Sequence, residues 1–420
     1  MVRRFHPLLI LLLVLALVAV ACGDDDDDGD GAAPATTAAA DGDGDGAAEC
    51  DDSDPVKAGA SLSISGPAAD IGALAQDGAE MAIEDINAEG GILGRCVELV
   101  LRDDTGDPTR AAQVMRELVD QEEVDFVVGP FLSSPIGAAI EVTAPANVLH
   151  VVAGVLPTAG DAATFPHVFR SEVVATLQGQ TFAEYMKASG WTSAAIIAVN
   201  NALGTSVVDA FTPVAEAEGL EITATEFHES GAVDQTTQLR NLMGTDPDVL
   251  LVFNTAGPDT VATISGRNSL NWDVPALGFS SIANTSITDA FEPGEMDLVY
   301  GGQAYRLLNR EPGSDEPIGE AAAAFKDRYK EFLGADPLEV NIQQASGIYD
   351  SYRMMALAIN EVGEIDPDGV KDYLESNGYD GVKATYEYDA ERHDGIGLDD
   401  LVFIVADSFE DGTLELAPNQ

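Results

Sequence analysis

The turn S-I-S-G-P-A-A-D-I-G-A, residues 63–73, follows a strand-like run and precedes a helix, where a phosphate cradle would sit. Dinucleotide binding there needs G-x-G-x-x-G directly after the strand and an acid about 20 residues on, because the glycines let the backbone close on a pyrophosphate. Here Pro67 stands beside Gly66, and the later Gly72 is at the wrong spacing. His150, His167, His228 and His393 stand singly, with no H-E-x-x-H pair to share a zinc ion, and read as core or surface residues. The sequence has no G-x-S-x-G elbow and no Walker A lysine. With no nucleophile and base pair in view, a protein that is not an enzyme is expected, with no metal and no cofactor.

Cysteine chemistry is limited to three residues. Cys22 belongs to an N-terminal signal, described below. In an exported chain the remaining pair, Cys50 and Cys96, reads as a disulfide before a metal site, since two thiols do not complete a zinc sphere. Cys50 precedes the first strand and Cys96 opens the second. If those strands are neighbours in a parallel sheet, bridging is feasible; two free thiols are the alternative. The aspartate run after Cys22 lacks the D-x-[DN]-x-[DN]-G spacing of a calcium loop and reads as solvated charge.

Arg3 and Arg4, an apolar run from Leu8 to Val18, and Ala19, Val20 and Ala21 ahead of Cys22 form a secretion signal over residues 1–21. The run is short for a membrane span. Small residues directly before a cysteine resemble the lipobox of bacterial lipoproteins, which implies lipid on Cys22 and an extracytoplasmic protein anchored to the cell membrane. An ordinary signal peptide with an incidental cysteine is the alternative. Residues 22–54 carry too little apolar surface to fold and read as an acidic tether. Taking the 13 carboxylates and two arginines before Pro55 out of the formal charge of −53 leaves −42 on the rest. Nucleic acid, which needs a basic footprint, is excluded as a partner.

A chain of 420 residues suggests two domains of roughly 150 residues each plus its leader. From Lys57 onward, short apolar strands alternate with amphipathic helices. Strands are expected at Ala58–Ser63, Val97–Arg102, Asp125–Val128 and Leu149–Val152, with helices at Gln76–Asn87, Thr109–Glu122 and Ala138–Ala146 between them. The alternation restarts at Leu177 and runs to a strand at Ala276–Gly278. Helices at Pro317–Phe332, Gln344–Glu361 and Pro367–Asn377 follow, then paired strands around Thr385–Tyr388 and Leu401–Asp407. The fold class is therefore α/β: two doubly wound parallel-sheet lobes joined by a multi-crossover hinge, with a cleft between them. Residues 55–172 and 304–384 are expected in lobe 1, and 173–303 and 385–420 in lobe 2.

Three stretches carry a family resemblance: S-G-P at residues 65–67, A-x-x-x-I-N-x-x-G-G-I-x-G ending at Gly94, and D-D-x-x-D-P at residues 103–108. Over Val56 to Phe409 the chain resembles the extracellular substrate-binding proteins of ABC importers for branched-chain amino acids and related compounds, of periplasmic binding protein type I fold. The resemblance implies that Asn87, Gly90, Gly91 and Gly94 end a helix and turn the chain, and that only the loop Ala68–Gly72 reaches the cleft. It implies a monomer that captures a small-molecule solute by lobe closure and delivers it to ABC permease subunits. A ligand-sensing ectodomain serving a separate membrane receptor is the other reading.

The resemblance also places the site, at the carboxyl ends of the strands. It carries the family's ligand serine onto Ser133, with Ser134 beside it; a helix N-cap is the structural alternative, and the two roles are compatible. The backbone turn after the fourth strand falls on Gly154, Val155 and Leu156. Wall positions fall on Ile71, Leu203 and Ala256. Ser280 stands where amino-acid binders place an acid for the ligand ammonium, and Leu156 where they place a threonine. A buried ammonium without a partner is costly, so the expected ligand carries a carboxylate or amide and an apolar body. Asp259 is an acid nearby, with a helix N-terminal charge as its simpler role.

Overall fold

The structure is a computed structural model that describes residues 49–254, 257–308 and 319–420. The expected secretion signal, Cys22 and the tether up to residue 48 lie outside the described residues. A first alternation runs β1 (Asp51–Leu62), α1 (Ala69–Ala88), β2 (Arg95–Asp103), α2 (Pro108–Asp120), β3 (Phe126–Val128), α3 (Ser133–Ala146), β4 (Leu149–Val152) and β5 (Val168–Arg170). Its five strands form an all-parallel sheet in the order β2-β1-β3-β4-β5. Strands such as Phe126–Val128 and Leu149–Val152 are buried along their whole length, as a sheet covered by helices on both faces requires.

The chain then builds a second sheet through α4 (Ala175–Ala188), β6 (Ser193–Val199), α5 (Ala202–Glu218), β7 (Glu221–His228), α6 (Thr236–Met243), β8 (Val249–Phe253), α7 (Gly257–Ser269), β9 (Ala276–Gly278), α8 (Thr285–Thr288) and β10 (Val299–Ala304). It returns to the first lobe for α9 (Glu320–Leu333), α10 (Gln343–Val362), α11 (Pro367–Asn377) and the short strands β11 (Tyr379–Asp380) and β12 (Thr385–Tyr386). It ends with β13 (Leu401–Val405), which completes the second sheet, β13-β10-β9-β8-β6-β7. Ile348, Tyr352 and Ile359 of α10 pack in one core with Ala75, Ala79 and Ala82 of α1, whose small residues let the two helices approach. Among the described residues no helix is long and apolar enough to cross a membrane.

Several expectations are corrected. β1 begins at Asp51, inside the span read as tether. The Asp51 amide donates to Gly94 O at 2.8 Å, and a Cys50–Cys96 disulfide with Cα atoms 4.9 Å apart holds the strand start to β2. Residues 68–72 are not a loop: α1 starts at Ala69, and Gly72 lies so close to the segment just after β1 that a Cβ would sit 2.0 Å from Ser63 O. The strands around 385 and 401 do not pair with each other. β12 pairs with β11, and β13 runs antiparallel to β10. Nor does the second lobe resume at 385, because Tyr386, Tyr388 and Ile396 are buried in the first lobe's core. The helix end at Asn87 carries a further bond: its side chain accepts from Val97 N at 2.6 Å and donates to Val97 O at 3.0 Å, tying α1 to β2.

The histidine of β4 has a structural role. His150, fully buried in β4, donates from Nε2 to Gly129 O at 2.6 Å, which leaves Nδ1 to accept from the Thr143 hydroxyl at 2.8 Å. Burial pushes its pKa down to about 4. A base with a depressed folded-state pKa gives stability that is present above its unfolded value of about 6.5 and is lost as pH falls toward the folded value. Wild type should lose about 2 kcal/mol between pH 7 and pH 5 from this residue. Urea unfolding at both pH values should show that loss shrinking in His150→Gln.

Candidate functional site

The order of strands decides where a site can form. In the first sheet the connections leave β1 and β3 in opposite directions, and in the second they do so at β6 and β8, so a crevice opens at the carboxyl ends of both pairs. A cavity of about 90 Å³ lies between these two edges. That is several times the roughly 10–15 Å³ one water needs, so it admits a small molecule. Ile71 follows β1, Phe131, Leu132 and Ser133 follow β3, and Gly154 and Val155 follow β4. Leu203, Asn254 and Ser280 follow β6, β8 and β9 of the other lobe. At the rim, Ser286 Oγ donates to Asp70 Oδ2 at 2.7 Å from one lobe to the other.

On the first lobe, Ser133 and Ser134 open α3, whose first backbone N–H groups have no partner within the helix. Ser133 is not the N-cap. Leu132 holds that place with no side-chain bond, and the Ser133 hydroxyl is buried without a partner, the residue being 3 % exposed. The next polar surface is the turn at Gly154. A Cβ there would lie 2.2 Å from Phe131 O, so only glycine lets the turn approach the β3 loop. The carbonyls of this turn are engaged elsewhere. The fully buried Arg170 donates from Nη1 to Gly154 O and from Nη2 to Leu156 O, and Val155 O accepts from Ala175 N at 3.0 Å. What the turn can offer a ligand is N–H, together with the start of α3: a donor surface suited to a carboxylate or carbonyl oxygen.

The second lobe contributes an apolar wall from Leu203 and Phe279, with Ser280 and Ser281 beside it. Asn254 lines the cavity, but its amide is engaged: Oδ1 lies 2.8 Å from His228 Nε2 and Nδ2 donates to Thr263 at 2.9 Å. Where the chain crosses between lobes after β5, Glu172 and Gln178 complete the lining, with Gln344 from α10. Among the described residues, Glu172 carries the one ionisable side chain of the lining. Its Oε2 accepts from Lys383 Nζ at 2.6 Å and its Oε1 from Val173 N at 2.9 Å. Lys383 is itself 2 % exposed, so the pair leaves the cavity without net charge.

Six of the sequence positions thus meet at one cavity: Ile71, Ser133, Gly154, Val155, Leu203 and Ser280. Ser134 sits a residue further along α3 and is not part of the lining. Leu156 turns its side chain onto Ile136, Ile140 and Val168 instead, because Arg170 holds its carbonyl inward. Ala256 lies outside the described residues. Asp259 is buried in the first turn of α7, accepts from Gly231 N at 2.6 Å and does not reach the cavity. Phe131, Glu172, Gln178, Asn254, Phe279 and Gln344 were missed. Glu172 and Gln178 had one usable signal, their place directly after β5 where the chain must pass the cleft.

Over 335 residues, 78 % of this chain and 84 % of the relative, the sequence is 23 % identical to the leucine-, isoleucine-, valine-, threonine- and alanine-binding protein of Pseudomonas aeruginosa. It is 26 % identical over 323 residues, 74 % and 84 % of the two chains, to a Leu/Ile/Val-binding protein of Rhizobium johnstonii. The fold superimposes on a type 1 periplasmic binding protein of Bordetella pertussis with a TM-score of 0.77, at 24 % identity over 87 % of this chain and all of that one. It also superimposes on a solute-binding protein of Rhodopseudomonas palustris in complex with benzoate, with a TM-score of 0.73 at 17 % identity, covering 86 % and 95 % of the two chains. With the sequence profile described as periplasmic binding protein matching residues 55–406, most of the chain, this protein belongs to the periplasmic binding protein family.

Proposed function

We propose that this protein is the extracytoplasmic receptor of an ABC importer, held to the membrane by lipid on Cys22. It captures one small organic solute in the cleft and presents it to a permease, without making or breaking a bond. The observation that carries this reading is Ser133, a residue of the cavity lining at the start of α3 whose hydroxyl is buried and has no hydrogen-bond partner. An unsatisfied buried hydroxyl costs about 1–3 kcal/mol, a cost that a ligand oxygen accepting its proton removes. The ligand has a carboxylate or carbonyl end against Ser133 and the Gly154 turn, and an apolar body against Ile71, Leu203 and Phe279. Branched-chain amino acids fit this description, as the named relatives suggest. So do the short carboxylic acids and amides that share their shape.

Thermal denaturation of the purified chain with leucine, isoleucine, 4-methylpentanoate, benzoate and leucinamide tests the reading. A ligand at 100 times its Kd should add about 2.7 kcal/mol of stability. No shift with any of them removes the proposal. Ser133→Ala should weaken the responding ligand at least about tenfold while leaving the unliganded protein as stable as wild type, since no partner in the protein is lost. Gly154→Ala should lose both affinity and stability, because a Cβ at 2.2 Å from Phe131 O forces the turn to move. Titration calorimetry and thermal melts separate the two effects.

A further inference from the structure

In the second lobe, a chain of side-chain hydrogen bonds runs from Asn254 of the cavity lining and ends on a main-chain carbonyl in each direction. His228 Nδ1 lies 2.9 Å from Glu229 O, and its Nε2 lies 2.8 Å from Asn254 Oδ1. Asn254 Nδ2 is 2.9 Å from Thr263 Oγ1, that hydroxyl is 2.6 Å from Gln235 Oε1, and Gln235 Nε2 is 3.0 Å from Asp259 O. These four residues are buried, none more than 3 % exposed.

A carbonyl only accepts, so the direction of every bond follows from the ends. Asp259 O takes a proton from Gln235 Nε2, which leaves Gln235 Oε1 to accept the one hydroxyl proton of Thr263. The same hydroxyl lies 3.0 Å from Asp259 O, but a proton sent there would leave two bare oxygens 2.6 Å apart. Thr263 then accepts from Asn254 Nδ2, and Asn254 turns its oxygen to His228. Both ring nitrogens of His228 therefore meet oxygens that only accept. Either neutral tautomer sets a lone pair against one of them; the imidazolium, with two N–H donors, satisfies the whole chain.

A counter-charge stands nearby. Asp259, without exposure in the first turn of α7, accepts from Gly231 N at 2.6 Å through Oδ1, and its Oδ2 is buried with no hydrogen-bond partner. Burial pushes its carboxyl up, while the Gly231 bond and the charge of His228 pull it down. Glu229, next to His228 in the chain, is exposed and accepts from Asn200 Nδ2 at 2.9 Å. The neighbouring strands bring amides: Asn200 after β6, whose N donates to His228 O at 2.7 Å, and Asn254 after β8.

We propose that His228 is held as an imidazolium and is a positioning residue, fixing the amide of Asn254 at the cavity wall and making ligand affinity depend on pH. On losing the proton, His228 offers Asn254 a lone pair. The amide must then turn over to donate, and the turned amide breaks the bonds through Thr263 and Gln235. The link to affinity rests on the cleft reading above; the charge on His228 does not.

Nitrogen-15 NMR of the histidine-labelled protein without ligand reads the charge directly. The ring is assigned by its absence in His228→Gln or, should that variant not fold, through bonds from its own backbone. At pH 7 both ring nitrogens should show the protonated signature, and Asp259→Asn should move deprotonation to lower pH. One protonated and one bare nitrogen at pH 7 overturns the proposal. Titration calorimetry with leucine, isoleucine, 4-methylpentanoate and benzoate, whose carboxylates stay ionised throughout, reads the consequence. Affinity for the probe that binds should fall about tenfold as pH rises through the NMR midpoint, the effect of losing one charge-assisted hydrogen bond. His228→Gln, whose amide can donate to Asn254 without titrating, should show no such step. An affinity that ignores the midpoint, or a step that persists in His228→Gln, overturns the positioning role. If none of the four probes binds wild type, the cleft reading and the positioning role fall together, whereas the charge on His228 stands or falls by NMR alone.

Discussion

The cleft depends on a buried cation. Arg170 is fully enclosed at the end of β5, and taking a guanidinium out of water is costly unless its donors are filled. Three groups fill them: the carbonyls of Gly154 and Leu156, and Asp394, whose carboxylate lies 3.3 Å from Nε. The arginine's own carbonyl accepts from Tyr388. One side chain thus fixes the turn that faces the ligand, the last strand of the first sheet, and the C-terminal segment that passes beside the hinge. Because the guanidinium is a planar fork with fixed donor directions, it sets the orientation of the two carbonyls as well as their distance. The turn is left presenting its N–H groups.

The hinge is held the same way, by buried polar contacts instead of apolar packing. Asp350, fully buried in α10, accepts from the backbone N–H groups of Val382 and Lys383 and from the Tyr386 hydroxyl, and burial pushes its carboxyl up to about 6. Holding Lys383 by its backbone points the ammonium at Glu172, across the point where the chain leaves the first lobe. Asn341 does similar work on another crossing, donating to Ala283 O at 3.1 Å. Directional bonds of this kind specify a small set of hinge geometries, whereas an apolar contact would tolerate sliding. The receptor proposed above, opening and closing around one ligand geometry, would need that restriction.

What the sequence revealed, and what it hid, follows from this division. The alternation of buried strands and amphipathic helices was readable because burial imposes it, and with it the strand ends that carry Ile71, Ser133, Gly154, Leu203 and Ser280. Leu156 was misread because the position was right and the direction wrong: nothing local says that Arg170, 14 residues on, will take its carbonyl and turn its side chain away. Glu172 in a chain of 73 acids reads as one more solvated carboxylate. Only the pairing with Lys383, 211 positions away, makes it part of a neutral cavity wall. Gln178 lies among helix-forming residues with nothing to mark it off from a surface glutamine. Its place in the cavity lining appears only once the chain is folded.

The same long-range pairing resolves a conflict between the protein's charge and its proposed cargo. With −42 on residues 55–420, the surface potential repels an incoming carboxylate. At physiological salt such repulsion decays within about 8 Å, so surface carboxylates beyond that distance act weakly on the cavity. What remains is local. The one carboxylate that the described residues place in the lining, Glu172, is neutralised by Lys383, and the start of α3 carries the positive end of a helix dipole toward Ser133. A chain can therefore be strongly acidic outside and still favour an anionic oxygen inside, provided each buried charge near the cleft is matched one to one. Unpaired, Glu172 would favour a cation in the cavity. For the proposed cargo, the ion pair at the hinge would set ligand charge as well as hinge geometry.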